Sequence, residues 1–238
     1  LATPVLGSFT RTGGLVNITG ILNNSGQTLD IDDGGVFGTG GLNNVSGTIT
    51  GGTIISGLGR ALTASSTPTL NGVTLGNSSK PNLTVNGGLF VSNGLTLANG
   101  ATITKDSGIW YWNTTGAQTL GVAGGGTATL NSAGGYHYAG YGVTGQTLTF
   151  AAGLTQQGNL SVYDSSAANV VNLGTLRQST ASTTTTIQVT NFSNGTGGVL
   201  ATTDGTLTLN STAWSNAGTI NVSSGVMNLS GTNGSNTG

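Results

Sequence analysis

Along residues 70–103 the chain reads LNGVTLGNSSKPNLTVNGGLFVSNGLTLANGATI, and its apolar side chains fall on every second position. Val73 and Leu75 make one pair, then Leu83 and Val85, Leu89 and Val91, Leu95 and Leu97. A period of two belongs to a β-strand with one buried face. Each run stops at or beside Gly or Asn, the residues that turn a chain at least cost. Residues 71–77 return as residues 93–99, 22 positions on, with five of seven identical. A unit recurring at that spacing predicts one coil stacked on the next.

The same signal runs through the rest of the chain. Alternating or β-branched stretches at 15–18, 26–31, 48–50, 53–55, 146–150, 159–163, 170–176, 183–190, 205–210, 219–222 and 225–230 predict strands. No stretch of ten residues places apolar side chains at i, i+3, i+4 and i+7, so essentially no helix is expected. A sandwich of hairpins would also use Asn-Gly turns, but it has no need of one unit at constant spacing. The pattern therefore predicts an all-β chain folded as a right-handed parallel β-helix, a β-solenoid of about 20–22 residues per coil. Leu, Ile and Val stack inside, Asn and Gly take the corners, and Thr and Ser line the outside. Residues 1–238 are expected to form a single solenoid of roughly eleven coils, about 50 Å long. Irregular loops are expected near 60–69 and 105–145.

Composition narrows the function classes. Charged residues are 5% of the 238, there is no Glu, and Gly numbers 44. The regular placement of Leu, Ile and Val separates the chain from disordered segments of similarly biased composition. No apolar run approaches the roughly 20 residues of a membrane helix, so no transmembrane segment is expected. Arg11, Arg60, Lys80, Lys105 and Arg177 are too scattered to neutralise phosphates, which argues against a nucleic-acid partner. The absence of Cys excludes a disulfide framework.

Residues 6–31, LGSFTRTGGLVNITGILNNSGQTLDI, resemble a block of the form LGxFTRTGGxVNxTGxLxNxGxTLxL, departing at its last position, where Ile31 stands for Leu. Residues 47–53 resemble a GTIxGGT step, and residues 213–220 with 228–232 resemble a WSNxGTI…NLxGT block. These blocks are those of the bacterial β-strand-repeat surface proteins, of the autotransporter and haemagglutinin-like β-helix kind. The resemblance covers about a third of the chain; the aromatic middle departs from it. It implies a secreted, extracellular or cell-surface location. In that family the second block commonly runs into the first, which implies that the 238 residues are about one period of a longer tandem array or polymerising fibre.

Candidate chemistry is sparse. Asp30, Asp32 and Asp33 are the only clustered carboxylates, and oxygen ligands of this kind could hold a Ca²⁺; the plainer reading is a solvated corner. No other cofactor is expected. His137 is the only histidine, too few for a triad or a zinc site, and is expected at a surface or edge beside Tyr136 and Tyr138. Trp110, Trp112, Tyr136, Tyr138, Tyr141 and Tyr163 concentrate in the middle third. Exposed rings of this set, above all Trp110, Trp112, Tyr136 and Tyr138, would bind a glycan; buried ones would fill a wide coil. Thr48, Thr50 and Thr53, and the run 183–186, could form flat Thr arrays, or simply line an exposed sheet. Asn17, Asn82 and Asn113 open glycosylation sequons.

The reading these observations favour is a structural repeat of an extracellular or cell-surface fibre, stalk or giant adhesin. Its partners would be copies of itself or neighbouring repeats, stacked end to end, with glycans or other cells as further candidates; neither end of the sequence carries a charged or helical cap. A carbohydrate-binding adhesin using the central aromatic cluster is the alternative. A polysaccharide-cleaving β-helix enzyme is more remote, because clustered carboxylates in reach of each other are missing, and the chain is expected not to be an enzyme.

Overall fold

The computed structural model describes residues 6, 7 and 9–238, so Ser8 of the first block lies outside the described residues. The chain winds into a right-handed, all-β parallel β-solenoid of about 10 turns, which makes it a β-helix repeat protein. Among the described residues the only helical ones are a single 3-10 turn at Ala123–Gly125. Every strand pairing among the described residues is parallel. At about 4.8 Å per coil the rod is about 50 Å long.

Each coil has three faces. The first runs through Ile21–Asn23, Thr48–Thr50, Trp110–Trp112, Tyr136–Ala139, Ser161–Asp164, Thr184–Gln188, Thr206–Leu209 and Val226–Leu229. The second runs through Thr28–Asp30, Thr53–Ile55, Ala117–Val122, Thr147–Phe150, Asn169–Asn172, Asn191–Asn194, Ala213–Asn216 and Asn233–Asn236. The strands Thr69–Leu75 and Leu89–Leu97 bend around the corner and serve both. The third is an eight-stranded sheet from Leu62–Thr63 to Thr219–Val222.

The 22-residue repeat in the sequence is a register in the structure. Val73 pairs with Leu95, Thr74 with Thr96 and Leu75 with Leu97. Earlier in the same pair of strands the step is 21, Leu70 on Val91, and the extra residue is a bulge at Asn93, held at φ 56. Asn bears that left-handed backbone better than other non-glycine residues, and its amide Nδ2 donates to Asn71 Oδ1 at 2.7 Å. Coils near the C-terminal end step by 20 to 22 residues, as Asn194 on Asn216 and Leu209 on Leu229 do. The middle is wider: Trp110 pairs with His137, and Leu120 with Phe150. Those wider steps carry the aromatic residues. Around 60–69 the step does not lengthen, since Ile49 pairs with Leu70; the irregularity is Ser66 and Thr67, both at positive φ.

Aliphatic rows fill the interior, such as Leu22, Ile49, Leu70 and Val91 on the first face and Leu29, Ile54, Leu75 and Leu97 on the second. Burial of each such side chain stabilises by about 1.5–3 kcal/mol. Asparagines do more than occupy corners. Asn172, Asn194 and Asn216 point inward and are buried, continuing the row of Val73, Leu95, Leu120 and Phe150. Their amides join head to tail: Asn172 Nδ2 donates to Asn194 Oδ1 at 2.7 Å, Asn194 to Asn216 at 2.6 Å, and Asn216 to Asn236 at 2.7 Å. Each Nδ2 also reaches a corner carbonyl, that of Gly174, Gly198 or Gly218. Buried polar groups are normally paired; the ladder pairs each of these amide NH2 groups and ties down the turns, and within it only the first oxygen, Asn172 Oδ1, is left without a partner.

Candidate ligand-binding face

On the first face the parity of each strand decides what reaches solvent. Leu89 and Val91 point inward, so Phe90 points out; Trp110 and Trp112 point inward, so Tyr111 points out. Stacked in register, Phe90, Tyr111, Tyr138 and Tyr163 make one outward column. Tyr141, from the loop after Tyr136–Ala139, leans onto it, with its centroid 4.6 Å from Tyr111 and 5.6 Å from Tyr138. Tyr136 closes the other side, edge to face with Tyr163 at 5.0 Å. Burial, and then the neighbouring tyrosines 111, 138 and 163, raise the Tyr136 phenol above its ordinary value, so it stays neutral.

Beside the last rings of the column lies an open groove of about 530 Å³. Tyr136, Tyr138 and Tyr163 form one wall; Asp164, Gln188 and Asn210 bring polar groups to it. Asp164 is fixed in place: its Oδ2 accepts the backbone N–H groups of Ala168 and Thr190, both at 2.9 Å. Gln188 and Asn210 are exposed. The lining holds one carboxylate and no cation.

Of the two alternatives for the tryptophans, the structure takes the one in which they fill the coil. Trp110 and Trp112 are fully buried in the core. His137, expected at an edge, is equally buried between them, with centroids 5.6 and 5.8 Å away. The indole Nε1–H of Trp112 donates to His137 Nδ1 at 3.2 Å, which leaves Nε2 to carry the proton toward Gln156 Oε1 at 2.7 Å. Burial, then the charge of Lys105, lower the His137 pKa to about 3, against the opposing effect of the Gln156 bond. Lys105 is also buried, and its Nζ donates to the carbonyls of Asp106, Gly108 and Gly134 while sitting 5.9 Å above the Trp110 ring. Burial lowers its pKa to about 8. The four side chains of this interior cluster are fully buried and pack against one another.

The three clustered aspartates diverge. Asp30 pairs with Lys80 at 2.6 Å and Asp33 with Arg60 at 2.7 Å. Asp32 accepts the N–H groups of Gly57 and Leu58 and the Ser56 hydroxyl. Burial pushes its carboxyl up, but those bonds together outweigh it and hold the pKa below the ordinary value. All three carboxylates thus serve donors of the chain itself, and no group of three metal-ligating side chains forms among the described residues. The threonine arrays split likewise. Thr48 and Thr50 lie on the first face and Thr53 on the second, while Thr185 turns inward and donates to Gln178 Oε1. Asn17 and Asn82 are exposed; Asn113 accepts a bond from Ser92.

Of the four rings offered for a glycan, Tyr136 and Tyr138 stand on this outer face, and Asp164, Gln188 and Asn210 beside them were not among the sequence candidates. The available signal was the step from Tyr138 to Tyr163, one coil on, with Asp164 next in line. No known protein family, curated protein or solved structure matches the chain.

Proposed function

We propose that this chain is a structural repeat of an extracellular or cell-surface fibre, stalk or giant adhesin, of the β-strand-repeat kind that its sequence blocks resemble, and that it acts by stacking and not by catalysis. The observation that carries the reading is the backbone ladder. Parallel pairing continues through about 10 turns on the first two faces and through eight strands on the third, and the Asn ladder follows it to Asn236. A rod of this kind resists unravelling because each coil is held by both neighbours. Its terminal strands, Val226–Leu229 and Asn233–Asn236, have one edge paired and one free within the described residues, and a further coil in register would satisfy that edge.

A tandem fusion of two copies tests this directly by small-angle scattering. The expected particle is one straight rod of about 100 Å, twice the length of a single unit at about 4.8 Å per coil. Two bodies tumbling independently about a joint would overturn the reading.

A further inference from the structure

We propose that the groove beside the tyrosine column is a carbohydrate-binding site that takes neutral or amino sugars. Elsewhere the outward rows on the strands are mainly Thr, Asn and Ser, such as Thr28, Thr53, Thr74 and Thr96 on the second face, and the exposed large apolar side chains there, Ile21, Val222, Val226 and Leu229, are aliphatic. Rings at outward positions add nothing to the core and keep apolar area in water, which marks an interaction surface. Here they are confined to four successive coils and end at a groove, with Asp164, Gln188 and Asn210 beyond the last ring.

The chemistry of the lining selects the ligand class. A pyranose presents an apolar C–H face and a rim of hydroxyls; the Tyr138 and Tyr163 rings suit the first, and a carboxylate with two amides suits the second. Asp164 is positioned for this. Its Oδ2 is occupied by two backbone donors, which orients the side chain and leaves Oδ1 to accept from a sugar hydroxyl or ammonium. With one carboxylate and no cation in the lining, sulfated and other anionic sugars are disfavoured. A quaternary ammonium needs rings spread around it. Tyr136 and Tyr163 instead pack edge to face at 5.0 Å, closing the slot between them. The volume of about 530 Å³ falls within the roughly 300–1,000 Å³ of small-ligand sites and leaves room for more than one sugar ring.

Saturation-transfer NMR of the intact chain with cellotriose, maltotriose and chitotriose tests the site, with a heparin disaccharide and phosphocholine as contrasts. At least one neutral or amino sugar is expected to bind in the millimolar range. Tyr163→Ala should weaken it about tenfold, the worth of one good aromatic contact, and Asp164→Asn by a smaller factor. Because Asp164 also ties two backbone groups, emission from the buried Trp110 and Trp112 reports whether each variant keeps its core. Saturation of the heparin disaccharide or phosphocholine alone would overturn the proposal. So would no binding by any of the three trisaccharides, or binding unchanged in folded Tyr163→Ala. None of these outcomes bears on the length of the tandem rod, which tests the structural reading separately.

Discussion

His137 shows how a single side chain can set the acid limit of the rod. It is neutral in the folded state because burial, reinforced by the charge of Lys105, lowers its pKa from 6.5 to about 3. Its Nδ1 is committed as an acceptor from Trp112, so a second proton would break that bond as well as charge the core. The unfolded chain, with an ordinary histidine, takes up a proton near pH 6.5. Between that value and about 3 the unfolded state therefore binds more protons than the folded one. Stability is fully present above pH 6.5 and falls as pH drops, by about 1.4 kcal/mol per unit. Urea unfolding between pH 6.5 and 4.5 isolates this effect, because the carboxylate of Asp32, held below its ordinary 3.8, does not yet contribute. His137→Gln should flatten the profile in that window; a wild-type profile already flat there would contradict the assignment. Lys105 acts at the other end. Its lowered pKa means that stability rises as pH climbs from about 8 toward 10.5.

At the scale of the strand and its ladder, the inward Asn row is the feature whose disruption should cost most. Asn194 Nδ2 serves Asn216 Oδ1, the Gly198 carbonyl and the Thr219 carbonyl, while its Oδ1 accepts from Asn172. Asn194→Asp keeps the shape but turns the donor into an acceptor facing three acceptors, and buries a charge. Urea unfolding at pH 7 should show a loss of about 3–5 kcal/mol, the range for an uncompensated buried charge, and the loss should shrink as the new carboxyl protonates in acid. An unchanged midpoint would mean that the ladder contributes nothing. The strands themselves were legible, because a period of two is a local property and the 71–77 repeat is the coil register written out. Which parity faces inward was legible only where one parity is apolar and the other polar. In Trp110-Tyr111-Trp112 and Tyr136-His137-Tyr138 both parities are aromatic or amphipathic, so alternation alone could not say that the tryptophans and His137 go in and the tyrosines out. The Asn row failed for a related reason. Asn reads as a turn residue, and its use inside depends on a partner 20 to 22 residues away. The divergence of Asp30, Asp32 and Asp33 likewise rests on residues distant in sequence, Ser56 and Arg60 one coil on and Lys80 two coils on.

For the whole molecule, stability should behave as a sum over coils, each coupled mainly to its neighbours. Deleting residues 173–194 removes one complete 22-residue coil and joins Asn172 to Gly195. Asn172 would then stack on Asn216, which continues the ladder, and Val170 on Trp214, which keeps the row apolar. Even the Asp164 turn finds a replacement, since Thr212 comes where Thr190 had donated its N–H. The shortened chain should fold, scatter as a rod shorter by about 4.8 Å, and unfold cooperatively with a urea m-value lower by roughly a tenth, because that slope follows the surface exposed. Deleting only residues 173–183 removes the third-face strand and leaves the rest. Every later inward side chain then meets the wrong face of its neighbour, and no folded product is expected. The two deletions differ by only 11 residues, so size alone would predict similar losses. A repeat whose coils are interchangeable predicts opposite outcomes. If both variants unfold alike, the fold depends on long-range order along the whole rod and not on coil-to-coil register.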